Sequence, residues 1–296
     1  MPPFGLANLS VEGEPLLAAT RDGAAYAVRS LIGGWVGSLD EALSGWDGFV
    51  DAVEAALDGP DAPDALLDPA AVTFGPAGGV RSVMWCAGAN YTDHIAEMGV
   101  AGIGDRSFHF LSPSTARNAH GATVGRPVGA RQLDWEVELA AVIGRPARRV
   151  AAGDALTYVA GYTVANDVSV RDQDLIRHPI FGVDWTAGKN ADGLTPVGPA
   201  VVPARFVPDP TNLDLGLTVN GTVRQQSNTS RMIVDLRRQI EALSALVTLQ
   251  PGDLILTGTP AGTAAAHGGR YLEDGDVMVA TISGLGSLRN TVGPAA

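Results

Sequence analysis

Asp134, Glu136 and Glu138 stand at every second position of the run Asp134-Trp135-Glu136-Val137-Glu138-Leu139. That spacing puts alternate side chains on one face of a strand. Leu133, Trp135, Val137, Leu139, Ala141 and Ile143 take the other face. The acidic face turns apolar at Ala140 and Val142, so the strand is expected to run into the core with both sides covered. Carboxylates carried inward lose hydration and repel one another, and a hard divalent cation compensates best. A further acid, Asp167, stands near the end of a second strand read over 161–168. Glu136, Glu138 and Asp167 together suit Mg²⁺ or Mn²⁺ with positions left for water or substrate. The Cys and His spacing of a zinc site is absent.

Three other features carry possible chemistry. Lys189 is the only lysine among 20 basic residues, the rest being arginine. Genomic base composition explains the arginines but not the exception, and an ammonium is a compact point charge that differs from a guanidinium. His94 and Glu97 lie one helical turn apart, a carboxylate orienting an imidazole as a general base for water. His109, His120, His178 and His267 lack such an acidic partner at that spacing. Thr257-Gly258-Thr259-Pro260-Ala261-Gly262 follows an apolar run; its glycines permit close backbone approach, and its hydroxyls could hold a carboxylate or simply form a tight turn.

The elements that must position these residues read as follows. Residues 1–75 form a small α/β unit. A hairpin turns through Arg21-Asp22-Gly23, and a capping box at Ser38-Leu39-Asp40-Glu41 opens one helix carrying Leu43, Trp46, Phe49, Val50, Val53 and Leu57 up to Gly59-Pro60. Residues 58–69, rich in Pro and Asp, read as a linker. Residues 76–296 form the larger unit, with strands at 82–88, 108–111, 136–143 and 159–168 and a hairpin at Asn220-Gly221. A helix is expected from Thr229 or Ser230 through Met232, Ile233, Leu236, Ile240, Leu243 and Val247. Many strands with two main helices predict a β-rich α+β fold.

The chain has 296 residues, 46% of them hydrophobic, 37 glycines and a net charge of −12. That charge argues against general nucleic-acid or anionic-membrane binding. No apolar run spans a bilayer, the first residues lack a signal-peptide pattern, and Cys86 is alone, so a reducing cytoplasm is the expected location.

Gly88-Ala89-Asn90-Tyr91-Thr92-Asp93-His94, Asp134 to Leu139, Gly161 to Asp172, Gly188-Lys189, Val219-Asn220-Gly221 and Thr257 to Gly262 occur in the order of a known family. Over residues 80–292 the chain resembles the fumarylacetoacetate hydrolase family, in its acylpyruvate hydrolase and 2-hydroxyhepta-2,4-diene-1,7-dioate isomerase-like branch. The resemblance implies a rolled mixed β-sheet catalytic domain, a small N-terminal α/β domain and a homodimer. It also implies Mg²⁺ or Mn²⁺ on Glu136, Glu138 and Asp167, with His94 and Glu97 as the water-activating pair on a lid over 92–106. Lys189, Arg171, Thr259 and Gly258 would be oxyanion or substrate contacts. Three positions depart from the family pattern: Ser112 replaces a lysine, Asp174 a glutamine, and Ala191 an aromatic. Ala191 is expected to leave a roomier distal pocket.

The implied chemistry is hydrolysis of a C–C bond in an acylpyruvate-type 2,4-dioxo acid through a metal-stabilised pyruvate enolate. An oxaloacetate-type decarboxylase and a tautomerase or isomerase of aromatic catabolism would use the same enolate. A metal-dependent binding paralogue without activity is the alternative of another class.

Overall fold

The computed structural model describes residues 4–35, 37–59, 72–79, 82–100, 104 and 106–294. Most of the expected linker, and residues 101–103 and 105 of the expected lid, lie outside the described residues. Two sheets dominate. The larger runs in the order Ala24–Ala27, Glu14–Arg21, Gly5–Val11, Thr195–Pro203, Val159–Asn166, Val137–Ile143, Leu254–Leu256, Met84–Gly88 and Phe108–Ser112. The smaller runs Thr222–Asn228, Asp214–Val219, Val277–Ile282, Gly286–Gly293 and Thr123–Gly125. Both contain antiparallel and parallel pairs, and the helices are few. This is the β-rich α+β architecture expected from the sequence.

Val137–Ile143 is the central element. Every residue in it is buried, as the switch from acids to Ala140 and Val142 requires. Val137, Leu139, Ala141 and Ile143 face a core shared with Leu217, Met278 and Ile282 of the smaller sheet. Ala140 and Val142 face a second core that also takes Leu6, Val50 and Val53 from the N-terminal segment. That segment is therefore packed onto the back of the strand that carries the acids. Its own strands join the larger sheet through Leu6 opposite Val201, and Trp46 Nε1 donates to Ala160 O at 2.8 Å.

Local signals mostly hold. Asp22 and Gly23 have φ of 51° and 81°, and Asn220 and Gly221 have 52° and 75°, the left-handed pairs that tight hairpins need. The capping box at Ser38 forms. Two helices differ from expectation. The first breaks at Gly45 into Leu39–Leu43 and Trp46–Asp58, because glycine gains least from helical order. The second spans Leu236–Leu246 and is capped by Asp235. Thr229–Arg231 is only a 3₁₀ turn, after which Ile233 N donates to Asn90 O.

Gly161 sits within Val159–Asn166, between two partner strands. A Cβ there would lie 2.4 Å from Val202 O and 2.7 Å from Val201 Cγ1. Gly161→Ala should therefore force the strands apart and cost about 1–3 kcal/mol of stability. Urea unfolding monitored by tryptophan fluorescence would read this, and an unchanged midpoint would show that the sheet yields freely there.

Candidate active site

Antiparallel pairing sets Glu138 opposite Ala165 and Val137 opposite Asn166. The chain leaving the second strand therefore delivers Asp167 beside Glu136. Asp167 N donates to Glu136 O at 2.9 Å, and Glu136 N donates to Asn166 Oδ1 at 2.8 Å. One oxygen from each of Glu136, Glu138 and Asp167 lies within 4.8 Å of the others, and all three residues are buried. The sequence-derived acid set is thus brought together.

Lys189 ends the short helix Trp185–Lys189. Its ammonium donates to Glu136 Oε2 at 2.7 Å, Asp167 Oδ2 at 2.6 Å and Asp167 O at 3.0 Å. An ammonium has three protons, so all are committed here. Expected as an oxyanion donor, Lys189 is in this arrangement a clamp on two acids. Arg171 donates from Nε to Asp134 Oδ2 at 3.0 Å and from Nη2 to Glu136 Oε1. Ser169 Oγ donates to Glu136 Oε1 at 3.1 Å.

These partners divide the acids. Burial acts to raise Glu136, but Lys189 and Arg171 outweigh it and hold the carboxyl down to about 2. Glu138 is pushed well above the usual glutamate range by burial and by the neighbouring Asp167 and Glu136 charges. Its hydrogen-bond support is the Gly258 amide, at 2.7 Å from Oε2. Burial works to lower Lys189, yet Asp167 and Glu136 outweigh it and keep the side chain charged.

The donor set fits a hard divalent cation. It is all oxygen, from two strands, as Mg²⁺ and Mn²⁺ prefer. With Asp134, Glu136, Glu138 and Asp167 ionised, Arg171 and Lys189 leave two negative charges unmatched in this buried cluster.

His94 and Glu97 lie on the helix Thr92–Glu97. His94 Nδ1 stands 3.5 Å from Glu97 Oε1. Glu97 is fixed in turn by the amide of Gly262 at 2.6 Å and the hydroxyl of Thr263 at 3.0 Å. Asp93 anchors the same helix by accepting from Ser227 Oγ at 2.6 Å. The helical part of the expected lid, Thr92–Glu97, is docked in this way.

A pocket of about 320 Å³ opens beside the cluster, with His94, Asp134, Glu136, Arg171, Lys189 and Thr259 on its wall. Glu138 and Asp167 are not on that wall and lie behind it. Two expected substrate contacts also bond within the protein. The Gly258 amide is taken by Glu138, and Gly258 has φ of 95°, a conformation that favours glycine. Thr259 lines the pocket, but its hydroxyl donates to Val137 O at 3.0 Å and accepts from Gln225 Nε2 at 2.8 Å. Ala191 packs against the main core and is not on the pocket wall, so it does not enlarge the distal space. Asp134, read in the sequence only as part of the acidic face, joins the site through Arg171, and Phe110, Trp185 and Gln225 are further residues that the sequence reading does not select. Asp134 shares the acidic face, and Trp185 precedes Lys189 by one helical turn; those were the available signals.

Residues 83–293 match the model of the fumarylacetoacetate (FAA) hydrolase C-terminal domain. The chain belongs to the fumarylacetoacetate hydrolase family. It is 40% identical over 208 residues to the mitochondrial oxaloacetate tautomerase FAHD2A of Bos taurus, a match covering 70% of this chain and 65% of that protein. Its fold resembles that of maleylpyruvate hydrolase from Sphingobium sp. SYK-6, with a TM-score of 0.79, 29% identity and coverage of 98% and 100% of the two chains. It also resembles fumarylpyruvate hydrolase from Pseudomonas aeruginosa, solved with Mn²⁺ and pyruvate, with a TM-score of 0.66, 31% identity and coverage of 80% and 99%. Among the described residues, no helix is long and apolar enough to cross a membrane.

Glu138 yields a pH prediction for metal-free protein. Its folded-state carboxyl lies above the ordinary 4.5. The protonated form therefore stabilises the fold fully below the ordinary value, and that contribution is lost as pH rises through the raised one. Glu138→Gln keeps the acceptor for Gly258 and removes the ionisation. In EDTA, the wild-type Tm should fall relative to that of Glu138→Gln as pH is raised above 4.5. Parallel Tm curves by calorimetry would contradict the assignment.

Proposed function

We propose that the protein hydrolyses the C3–C4 bond of an acylpyruvate-type 2,4-dioxo acid, releasing a carboxylic acid and pyruvate. The observation that carries this reading is a buried oxygen-donor triad beside the same pocket that His94, backed by Glu97, faces. Glu136, Glu138 and Asp167 would hold Mg²⁺ or Mn²⁺. When bound, the cation supplies positive charge for the anionic 2-oxo acid end of the substrate and for the charge that develops on the leaving group.

The chain's own residues perform the rest. His94 takes a proton from a water aimed at the C4 carbonyl, and the water oxygen bonds to C4. Glu97, held by Gly262 and Thr263, orients the ring and stabilises it once protonated. The C3–C4 bond then breaks and C3 regains a proton. Arg171, fixed by Asp134, presents a charged edge to the substrate carboxylate. Lys189 keeps Glu136 and Asp167 in register through its three bonds.

A second reading is tautomerisation of oxaloacetate, favoured by the 40% identity to FAHD2A. It needs proton transfer at C3 by His94 and no attacking water. A panel of acylpyruvates and oxaloacetate, followed by absorbance with coupled detection of pyruvate, separates the two. Pyruvate release from acylpyruvates supports hydrolysis, whereas enol-to-keto conversion of oxaloacetate alone would overturn it. His94→Ala should lower kcat about 10²–10⁴-fold in either reaction. Wild-type kcat in that variant would remove His94 from the mechanism.

A further inference from the structure

The pocket has two chemically different parts. Its inner wall carries Asp134, Glu136, Arg171 and Lys189, while an aromatic wall stands beside them. Phe110 stacks on Trp185 with ring centroids 4.9 Å apart and planes 20° apart. Phe108, outside the pocket wall, packs against Trp185 with ring centroids 5.2 Å apart. Lys189 Nζ lies 5.8 Å from the Phe110 centroid, so the aromatic surface begins where the charged surface ends.

Local structure holds this arrangement. Trp185 and Lys189 are four apart in one helix, which aligns them on one side. Phe108 and Phe110 are alternate residues of Phe108–Ser112 and share a face. Phe108 pairs opposite Gly88, where a Cβ would fall 2.8 Å from Phe108 Cδ1, so the glycine makes room for the ring. Trp185 remains 38% exposed and Phe108 48% exposed. Large aromatic faces left to water at the edge of a pocket mark a place where an apolar ligand gains by burying them.

Charge narrows the ligand further. Among the described residues, the cations on the pocket wall are Arg171 and Lys189, and each is held by two acids. A carboxylate at the far end of a substrate would meet ring faces, whose negative quadrupole disfavours it, and, among the described residues, no cation beyond the Arg171 edge that takes the 2-oxo acid end.

We infer that Phe110 and Trp185 form a subsite for a flat apolar group, aryl or conjugated, on a 2-oxo monocarboxylate. The inference rests on the reading that a 2-oxo acid binds in this pocket, and it specifies the substrate's distal end.

Isothermal titration calorimetry of the Mn²⁺-loaded protein with phenylpyruvate, 2-oxoglutarate and pyruvate tests it. Phenylpyruvate should bind about ten-fold or more tightly than 2-oxoglutarate. Trp185→Ala should weaken phenylpyruvate about ten-fold and pyruvate far less, while Trp185→Phe retains most of the preference. Equal or tighter binding of 2-oxoglutarate by the wild type overturns the subsite, as does an equal loss for all three ligands in Trp185→Ala. A benzoylpyruvate turnover assay separates this from the reaction. Phenyl preference without turnover sustains the subsite and removes the hydrolase reading. Turnover without phenyl preference does the reverse, and no binding of any 2-oxo acid overturns both.

Discussion

Four carboxylates buried with two cations is the constraint on which the rest of this molecule depends. Asp134 and Glu136 share Arg171, and Glu136 and Asp167 share Lys189. Glu138 has the Gly258 amide as its hydrogen-bond donor and lies against the other acids. An uncompensated carboxylate in such a place is expensive; burial therefore favours a proton on Glu138, which a cation brought from outside would replace. The arginine and lysine bonds, the glycine at 258 and the hydroxyl of Ser169 all serve to hold that deficit at one point. The surrounding strands supply rigidity: the acids leave a strand whose far half is buried on both faces, so they cannot swing into solvent to relieve the repulsion.

The same constraint organises the pocket. Residues that a sequence reading assigns to substrate turn out to be engaged with the acids or the backbone. Lys189 has no proton left over, Gly258 gives its amide to Glu138, and Thr259 bridges Val137 and Gln225. Facing the pocket besides these are the His94 ring, Arg171, Met98, Tyr271 and the aromatic pair Phe110 and Trp185. Polar groups therefore serve mostly to build the charge deficit, and apolar ones to shape what enters.

Much of this was legible in the sequence because it rests on short-range pattern. Period-two alternation exposes the acids and the direction of burial. Left-handed turn residues mark both hairpins, and His94 with Glu97 shows itself by helical spacing. The resemblance in motif order anticipated the family. The rest depended on packing between distant segments. Gly45 is only a weak local signal for the helix break, since Gly48 stays helical, and nothing local tells that Met232 and Ile233 precede the next helix, where the Asp235 cap and the Asn90 contact decide the start. Ala191 suggested a larger pocket, yet it packs, partly buried, against the main core and is not on the pocket wall. The lone lysine stood out by composition, but its role followed only from the three acceptors around it. Trp185 was visible as a residue and invisible as a wall until Phe110 came against it from the strand Phe108–Ser112.

The central claim is that the buried deficit is filled by one divalent cation. Mn²⁺ titrated calorimetrically into protein stripped with EDTA tests it directly. The account predicts one Mn²⁺ per chain in the wild type and loss of that binding in Glu138→Ala. No binding to the wild type, or equal binding to Glu138→Ala, would contradict it.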